Sequence, residues 1–365
     1  MTKLIFVGGF LGAGKTTLLY ELTRILKDRG MKVGLITNDQ APDLADTSLL
    51  HHVNVNVAEV SGSCFCCDFK GLRKAIDKLS NNNRPDIILA EPVGSCTDLS
   101  ATLINPLKDL MKTEISVGPL TVLADPGRLK NVLDGTTDLH SSAAYIIKKQ
   151  LEESDVITIT KSDLYTPEEI KFLTERLEKN FPECEIRVIS ARTGDGVDDW
   201  LQLVLTGEDA GKHIPEVDYD KYAEGEAVLG WLNCSATLSG NDIDWDSFTR
   251  NFMLDMASEF DTKNLPVGHV KMMVENGDQY ISANLTGRSE TLTYRWSAGS
   301  GSSAEMILNA RVEMSPEELE KVFLNALAKI TNNHITVRIK GIRSISPGYP
   351  RPTYRYKERY YKDPE

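Results

Sequence analysis

Residues Gly9-Phe10-Leu11-Gly12-Ala13-Gly14-Lys15-Thr16 follow an apolar run, Leu4–Val7, and open a stretch of helical periodicity, Lys15–Arg29. The spacing is G-x-x-x-x-G-K-[ST], placed between a strand and a helix as a phosphate-binding loop requires. Residues poor in side chains let backbone N–H groups converge on phosphate oxygens, and the helix N-terminus adds partial positive charge. Gly12, Ala13, Gly14, Lys15, Thr16 and Thr17 are therefore the expected nucleotide contacts. Lys15 should pair with the β/γ-phosphates, and the Thr16 hydroxyl should hold Mg²⁺. The bland alternative is a glycine-rich turn with nothing bound.

Beyond the loop, short apolar runs alternate with amphipathic stretches to about residue 205, the pattern of repeated βαβ units. Strands are expected at Leu4–Val7, Lys32–Ile36, Val53–Val57, Asp86–Ala90, Leu120–Ala124, Asp155–Ile159 and Glu185–Ile189. Helices are expected at Lys15–Arg29, Ala143–Glu153, Pro167–Lys179 and Val197–Leu205. Several strands are apolar throughout, as in a parallel sheet with helices on both faces. Thr166-Pro167-Glu168-Glu169 supplies an N-cap, a proline at the first helical position and an acidic first turn.

A chain of 365 residues accommodates two domains. Residues 1–205 read as an α/β P-loop NTPase domain, and the acidic stretch 206–226 reads as a linker. Residues 227–340 read as a smaller C-terminal α+β domain, roughly ferredoxin-like. Its expected strands are Ala227–Cys234, Val267–Val274, Gln279–Leu285, Thr291–Trp296, Glu305–Val312 and Ile335–Ile339. Its expected helices are Asp246–Phe260 and the segment capped by Ser315 that runs to Ile330, and Ser300–Ser303 reads as a Gly/Ser loop. Residues 341–365 form a tail mixing Arg351, Arg355, Lys357, Arg359 and Lys362 with five tyrosines. Such a tail docks on an acidic client or packs on the chain's own acidic surface.

Further site residues lie at strand ends. Thr160-Lys161-Ser162-Asp163 has the form [NT]-K-x-D: the Asp163 carboxylate can accept from guanine N1–H and the 2-amino group, which adenine does not offer. Lys161 would lie along the base, and Ser190-Ala191-Arg192 would reach guanine O6 from the next strand end. Glu91 ends an apolar strand where a Mg²⁺-holding acid belongs, and Gly94 follows where an N–H senses a γ-phosphate. Asp39 and Asp46, in the polar segment that begins Thr37-Asn38-Asp39-Gln40-Ala41-Pro42-Asp43, are expected in a switch loop, reaching the metal once nucleotide orders it. Their alternative is a solvated acidic loop.

Three of six cysteines crowd into Cys64-Phe65-Cys66-Cys67. Thiolates suit Zn²⁺ and related soft ions, and Gly62-Ser63 allows the turn that would bring all three sulfurs to one ion. Three local ligands leave a tetrahedral ion one position open, filled by water, Glu59, Asp68 or a partner's side chain, and an open position suits delivery of the metal. A buried apolar pair or a redox pair at Cys64 and Cys67 are the other readings. Cys96, Cys184 and Cys234 read as ordinary core residues, and His269 as a histidine satisfied within a strand. The net charge of −12 argues against nucleic-acid binding. No apolar run approaches the ~20 residues of a membrane helix. The apolar start breaks at once into glycines, so no cleavable leader is expected and the chain reads as cytoplasmic.

The combination of Gly8–Leu19, Asn38-Asp39 with Asp46, Glu59-Val60 leading into Cys64-Phe65-Cys66-Cys67, Glu91 and Thr160–Asp163 resembles the CobW-like metal-handling GTPases, relatives of UreG and HypB. That resemblance implies GTP hydrolysis coupled to trafficking of zinc or another transition metal, a client metalloprotein, and nucleotide-dependent homodimers. It leaves a second reading open, an accessory GTPase maturing a corrinoid or other cofactor protein with a purely structural cysteine site. Ser63 departs from the glycine usual before the first cysteine, and the histidine-rich stretch of many relatives is absent.

Overall fold

The computed structural model describes residues 1–40, 45–53, 55–81, 84–287, 292–331 and 334–361. Ala41, Pro42 and Asp43 of the expected switch segment, Thr291 and Lys362 lie outside the described residues. β1 (Thr2–Gly9) passes through the glycine loop into α1 (Lys15–Asp28). The first unit continues with β2 (Val33–Asp39), α2 (Ala45–His51), β3 (Asn56–Ser61), α3 (Phe69–Asn81), β4 (Ile87–Glu91), α4 (Asn105–Leu110) and β5 (Ile115–Val117). β6 (Thr121–Ala124), α5 (Pro126–Asp134), α6 (Ser141–Glu153), β7 (Val156–Ile159), α7 (Pro167–Asn180), β8 (Glu185–Val188) and α8 (Val197–Thr206) complete it.

Among the described residues these strands form one parallel sheet of eight, ordered β3-β2-β4-β1-β6-β7-β8 with β5 beside β1. Its apolar runs serve two cores. Leu4 and Phe6 of β1 pack with Leu72 and Ile76 of α3 and Ile146 of α6, while Ile5 and Val7 pack with Leu18 and Leu22 of α1 and Trp200 of α8. Successive side chains of a strand point to opposite faces, so a sheet covered twice needs apolar residues at every position. The carboxyl ends of β1, β2, β4, β7 and β8 lie along one edge, the usual place for a ligand in such sheets.

The stretch 207–218 that follows α8 is irregular and tied down, with Gly211 and Lys212 N–H groups donating to Asp155 at 2.7 and 2.9 Å. α9 (Tyr219–Ala227), within the stretch read as a linker, is capped by Asp218 and buries Tyr222 against the first unit. The second unit comprises β9 (Gly230–Asp244), α10 (Trp245–Thr262), β10 (Val267–Asn276), β11 (Gln279–Leu285), β12 (Thr293–Ser297), β13 (Ser300–Val312), α11 (Pro316–Ile330) and β14 (Ile335–Ile345). Its antiparallel sheet is ordered β12-β11-β10-β13-β9-β14. Without the β11–β12 hairpin, this is a ferredoxin-like βαββαβ arrangement.

Three elements run past their expected limits. β9 continues to Asp244 and β14 to Ile345, and Ser300–Ser303 is strand, with Ser300 opposite Asp244 and Ser303 opposite Ser239. Pairing to a neighbouring strand overrides the weak local preference of Gly/Ser residues. The face of this sheet away from α10 and α11 covers the ligand edge of the first sheet. Val270, Met272 and Val274 of β10 and Leu308, Ala310 and Val312 of β13 enter the second core. The intervening His269, Lys271, Asn309 and Arg311 face the first unit. Among the described residues, no helix is long and apolar enough to cross a membrane.

Candidate nucleotide and metal site

A cavity of about 470 Å³ lies between the two sheets, lined by the glycine loop, Asp46, Glu91, Gly94, Thr160, Lys161, Asp163, Ser190–Arg192 and the charged face of β10 and β13. Gly12 and Gly14 adopt φ 78° and 95°, which glycine permits without a Cβ penalty. A Cβ on Gly12 would also stand 2.9 Å from the Thr286 methyl. Lys15 Nζ donates to the Gly9 carbonyl at 2.9 Å and lies 3.9 Å from Glu91. Burial lowers its pKa despite the acids nearby.

Thr16, Asp46 and Glu91 converge. The Thr16 hydroxyl donates to Asp46 at 2.5 Å and stands 3.1 Å from Glu91 Oε1. The Lys271 ammonium pairs with Asp46 and lies 3.3 Å from Thr16 Oγ1, placing a cation beside two of the three. Burial opposes ionisation of Asp46, yet Lys271 and the Thr16 hydroxyl hold its pKa down at about 2. Glu91 is pushed up to about 7 by burial first and by the Asp46 charge next. Its Oε2 is buried without a hydrogen-bond partner.

Two expectations change here. Asp39 and Asp46 do not share a loop: Asp39 ends β2, held in register with Ser61 of β3, and Asp46 sits in the first turn of α2. Asp39 is also already engaged, in a buried 2.6 Å ion pair with Arg311, whose guanidinium stacks on Trp231.

At the far end of the cavity, Ser190 Oγ donates to Asp163 at 2.7 Å, leaving the exposed carboxylate fixed in orientation. Thr160 Oγ1 bonds the Ala13 carbonyl at 2.9 Å, tying this segment to the phosphate loop. Lys161 adopts φ 54° and pairs with Asp125 at 2.8 Å, an acid the sequence reading missed although it caps α5 in the pattern Asp125-Pro126. Arg128 was missed as well. It stacks on Phe10 and donates to the carbonyls of Val267, Gly268 and Thr286, pinning the second sheet over the loop.

Cys64, Cys66 and Cys67 turn together as expected, with sulfurs within 4.8 Å of one another. The turn is closed by Cys67 N and Asp68 N donating to the Cys64 carbonyl at 3.0 and 2.9 Å. Asn38, next to Asp39, clasps it: Nδ2 donates to Val60 O and Ser63 O, and Oδ1 accepts from Phe65 N, all at 2.8 Å. Hydrogen bonding to Cys64 pushes the Cys66 thiol well up, and that of Cys67 to about 11. Cys96 is buried in the first core, as expected, and stands outside the group of three sulfurs. Glu59 and Asp68, expected as spare ligands, are engaged elsewhere, Glu59 with Thr47 at 2.6 Å and Asp68 with Gly71 N at 2.9 Å. His269 is satisfied by Asn284 at 3.2 Å. The tail crosses this site, with Arg351 N donating to Cys67 Sγ at 3.2 Å and Thr353 N to Cys66 O at 2.8 Å.

Residues 3–187 match the model of the family described as CobW/HypB/UreG, nucleotide-binding domain. Zinc chaperone YeiR of Escherichia coli (strain K12) is 29% identical over 188 residues, which cover 49% of this chain and 52% of YeiR. Zinc-regulated GTPase metalloprotein activator 1 of Dictyostelium discoideum is 26% identical, over 58% of this chain and 52% of its own. Urease accessory protein UreG of Aliarcobacter butzleri (strain RM4018) is 27% identical, over 56% of this chain and all of UreG. The chain spans about half the length of the first two of these relatives.

Proposed function

The chain belongs to the CobW/HypB/UreG family, and from that premise we propose that it hydrolyses GTP and uses the nucleotide state to bind zinc and deliver it to a client metalloprotein. The observation that carries the coupling is Asn38. One buried side chain at the end of β2 holds the cysteine turn through three hydrogen bonds while its neighbour Asp39 lines the nucleotide cavity.

In this reading Asp163, oriented by Ser190, selects guanine. Gly12, Ala13, Gly14, Thr17 and Ala191 enclose phosphates and base, and Lys15 leaves the Gly9 carbonyl for the β/γ-phosphates. The oxygens of Thr16, Asp46 and Glu91 lie together, and two of them, on Thr16 and Asp46, already contact a cation, the Lys271 ammonium, so the set suits Mg²⁺. Bound there, Mg²⁺ would neutralise charge developing on the phosphates. Asp39 would join the set only after releasing Arg311. Cys64, Cys66 and Cys67 hold the zinc cargo, which Asn38 and the segment after Glu91 make responsive to nucleotide. Names of relatives support zinc as the ion.

Zinc competition titrations in the presence of Mg²⁺ and GTP test the cargo assignment. Replacing Cys64, Cys66 and Cys67 by serine should abolish tight binding, and wild-type affinity in that variant would reject the site. GTP turnover that survives Lys15→Ala would reject the catalytic assignment.

A further inference from the structure

We infer that residues 349–356 of the tail form a removable strap over the zinc site. Closed, it hydrogen-bonds the ligand Cys67 and holds the ion; lifted, it gives a client access. This rests on reading the cysteine turn as a metal site.

The strap begins Tyr349-Pro350-Arg351-Pro352-Thr353. Proline has no N–H, and it favours an extended backbone in the residue before it. From Pro350 to Thr353 only Arg351 and Thr353 therefore keep a main-chain donor, and both point it at the cysteine turn. Arg351 N donates to Cys67 Sγ at 3.2 Å and Thr353 N to Cys66 O at 2.8 Å. Thr353 Oγ1 adds a bond to Cys67 O at 3.1 Å, and the Tyr354 ring meets Phe69 edge-on at 5.0 Å. Cys64 and Cys66 are buried and Cys67 is partly exposed, so the strap bonds the ligand of the three that solvent reaches. An N–H donated to a metal-bound thiolate stabilises its charge. Such support around a metal site typically matters by roughly tenfold or more in affinity.

Arg355 is the latch. Its Nε donates to Asp98 Oδ2 at 2.7 Å, and Tyr219 OH donates to the same carboxylate at 2.6 Å. The Asp98 side chain is wholly buried, and a buried carboxylate requires such a counter-charge. Tyr356 follows, its N–H donating to Ala101 O at 3.0 Å and its hydroxyl to Asp109 at 2.6 Å. The tail thus packs on acids of its own chain, and an acidic client can compete for the same arginine. Asp98 stands four residues beyond Gly94. A Cβ on Gly94 would lie 2.8 Å from Leu11 Cδ2 and 3.1 Å from Lys15 Nζ, so the latch is built on the segment that touches the phosphate loop. A γ-phosphate held by Lys15 steadies this segment and keeps Asp98 on Arg355, and its loss on hydrolysis loosens the latch. Transfer is then ligand exchange: the bond from zinc to Cys67 Sγ breaks as one to a client donor forms. The freed thiolate takes a proton from solvent, and no oxidation state changes.

The test loads the full-length chain with one equivalent of zinc, Mg²⁺ and a non-hydrolysable GTP analogue, then follows zinc release to a chromogenic chelator. Arg351→Pro removes the N–H that Cys67 accepts, at a position already biased to extended backbone by Pro352, whereas Arg351→Ala keeps it. Zinc should leave Arg351→Pro at least about tenfold faster than Arg351→Ala. Arg355→Ala should release it at least about tenfold faster than wild type, with a smaller difference between GDP and the GTP analogue. Retained binding of the analogue shows that each variant is folded. Equal release from Arg351→Pro and Arg351→Ala, or wild-type release from Arg355→Ala, overturns the strap while leaving the three-cysteine site intact. Zinc that leaves the wild type as fast as it leaves a protein with Cys64, Cys66 and Cys67 all replaced by serine would instead reject the underlying metal site.

Discussion

The Lys271 ammonium, carried on β10 of the second sheet, forms an ion pair with Asp46 at the start of α2, 3.3 Å from the hydroxyl of the phosphate-loop residue Thr16. A lysine thus stands where a divalent cation would be bound, and Mg²⁺ has to displace it. Lys271→Met removes the competitor and leaves Asp46 to the metal. The concentration of Mg²⁺ giving half-maximal binding of a fluorescent guanine nucleotide should drop about tenfold, or ~1.4 kcal/mol. A rise instead would mean that Lys271 serves the phosphates.

Asn38 makes three hydrogen bonds, two of them buried, to the cysteine turn and the end of β3 that leads into it. With each worth about 1 kcal/mol net, Asn38→Ala should lower stability by about 2–3 kcal/mol in urea unfolding. Zinc binding should persist in this variant, measured with a competing chelator, but should no longer respond to nucleotide.

Asp163 reads guanine by accepting two hydrogen bonds. Exchanging the carboxylate for an amide supplies a donor that faces a guanine donor but suits the carbonyl xanthine carries at that position. Asp163→Asn should lose GTP affinity by a factor of about 10²–10³, as expected for a charged hydrogen-bond pair worth about 3 kcal/mol. It should gain affinity for xanthosine triphosphate, read out in a nucleotide competition series.

Glu153 is buried, accepts from Thr97 and Ser100, and is pushed up to about 8, chiefly by burial. Its folded pKa lies above its ordinary value of 4.5, so between these values the folded chain keeps a proton that the unfolded chain releases. Stability from this group therefore falls as pH rises across that window and is flat outside it. Thermal midpoints should fall from about pH 5 to 8, and Glu153→Gln should flatten the slope.

The parts of the site carried by contiguous residues were legible in the chain. The glycine loop, Glu91 at the end of an apolar run, Thr160–Asp163 and the cysteine turn each bring their chemistry in a few adjacent positions. Lys271 and Arg311 were hidden for a different reason. Their apolar neighbours Val270, Met272 and Ala310 announced strands, but nothing local says that the charged face of that sheet covers the ligand edge of another. Asp46 was placed in a loop because the seven residues of α2 span too few turns to show a periodicity. α3 did carry a signal that went unread, with Phe69, Leu72, Ala75, Ile76 and Leu79 recurring at helical spacing and all buried.

The central claim is that nucleotide state sets the hold on zinc. It is tested most directly by measuring zinc affinity of the purified full-length chain without nucleotide, with Mg²⁺ and GDP, and with Mg²⁺ and a non-hydrolysable GTP analogue. The account predicts binding at least about tenfold tighter with the analogue than with GDP, a coupling of ~1.4 kcal/mol, and by reciprocity an equal tightening of the analogue by zinc. Equal zinc affinity in all three states would contradict it.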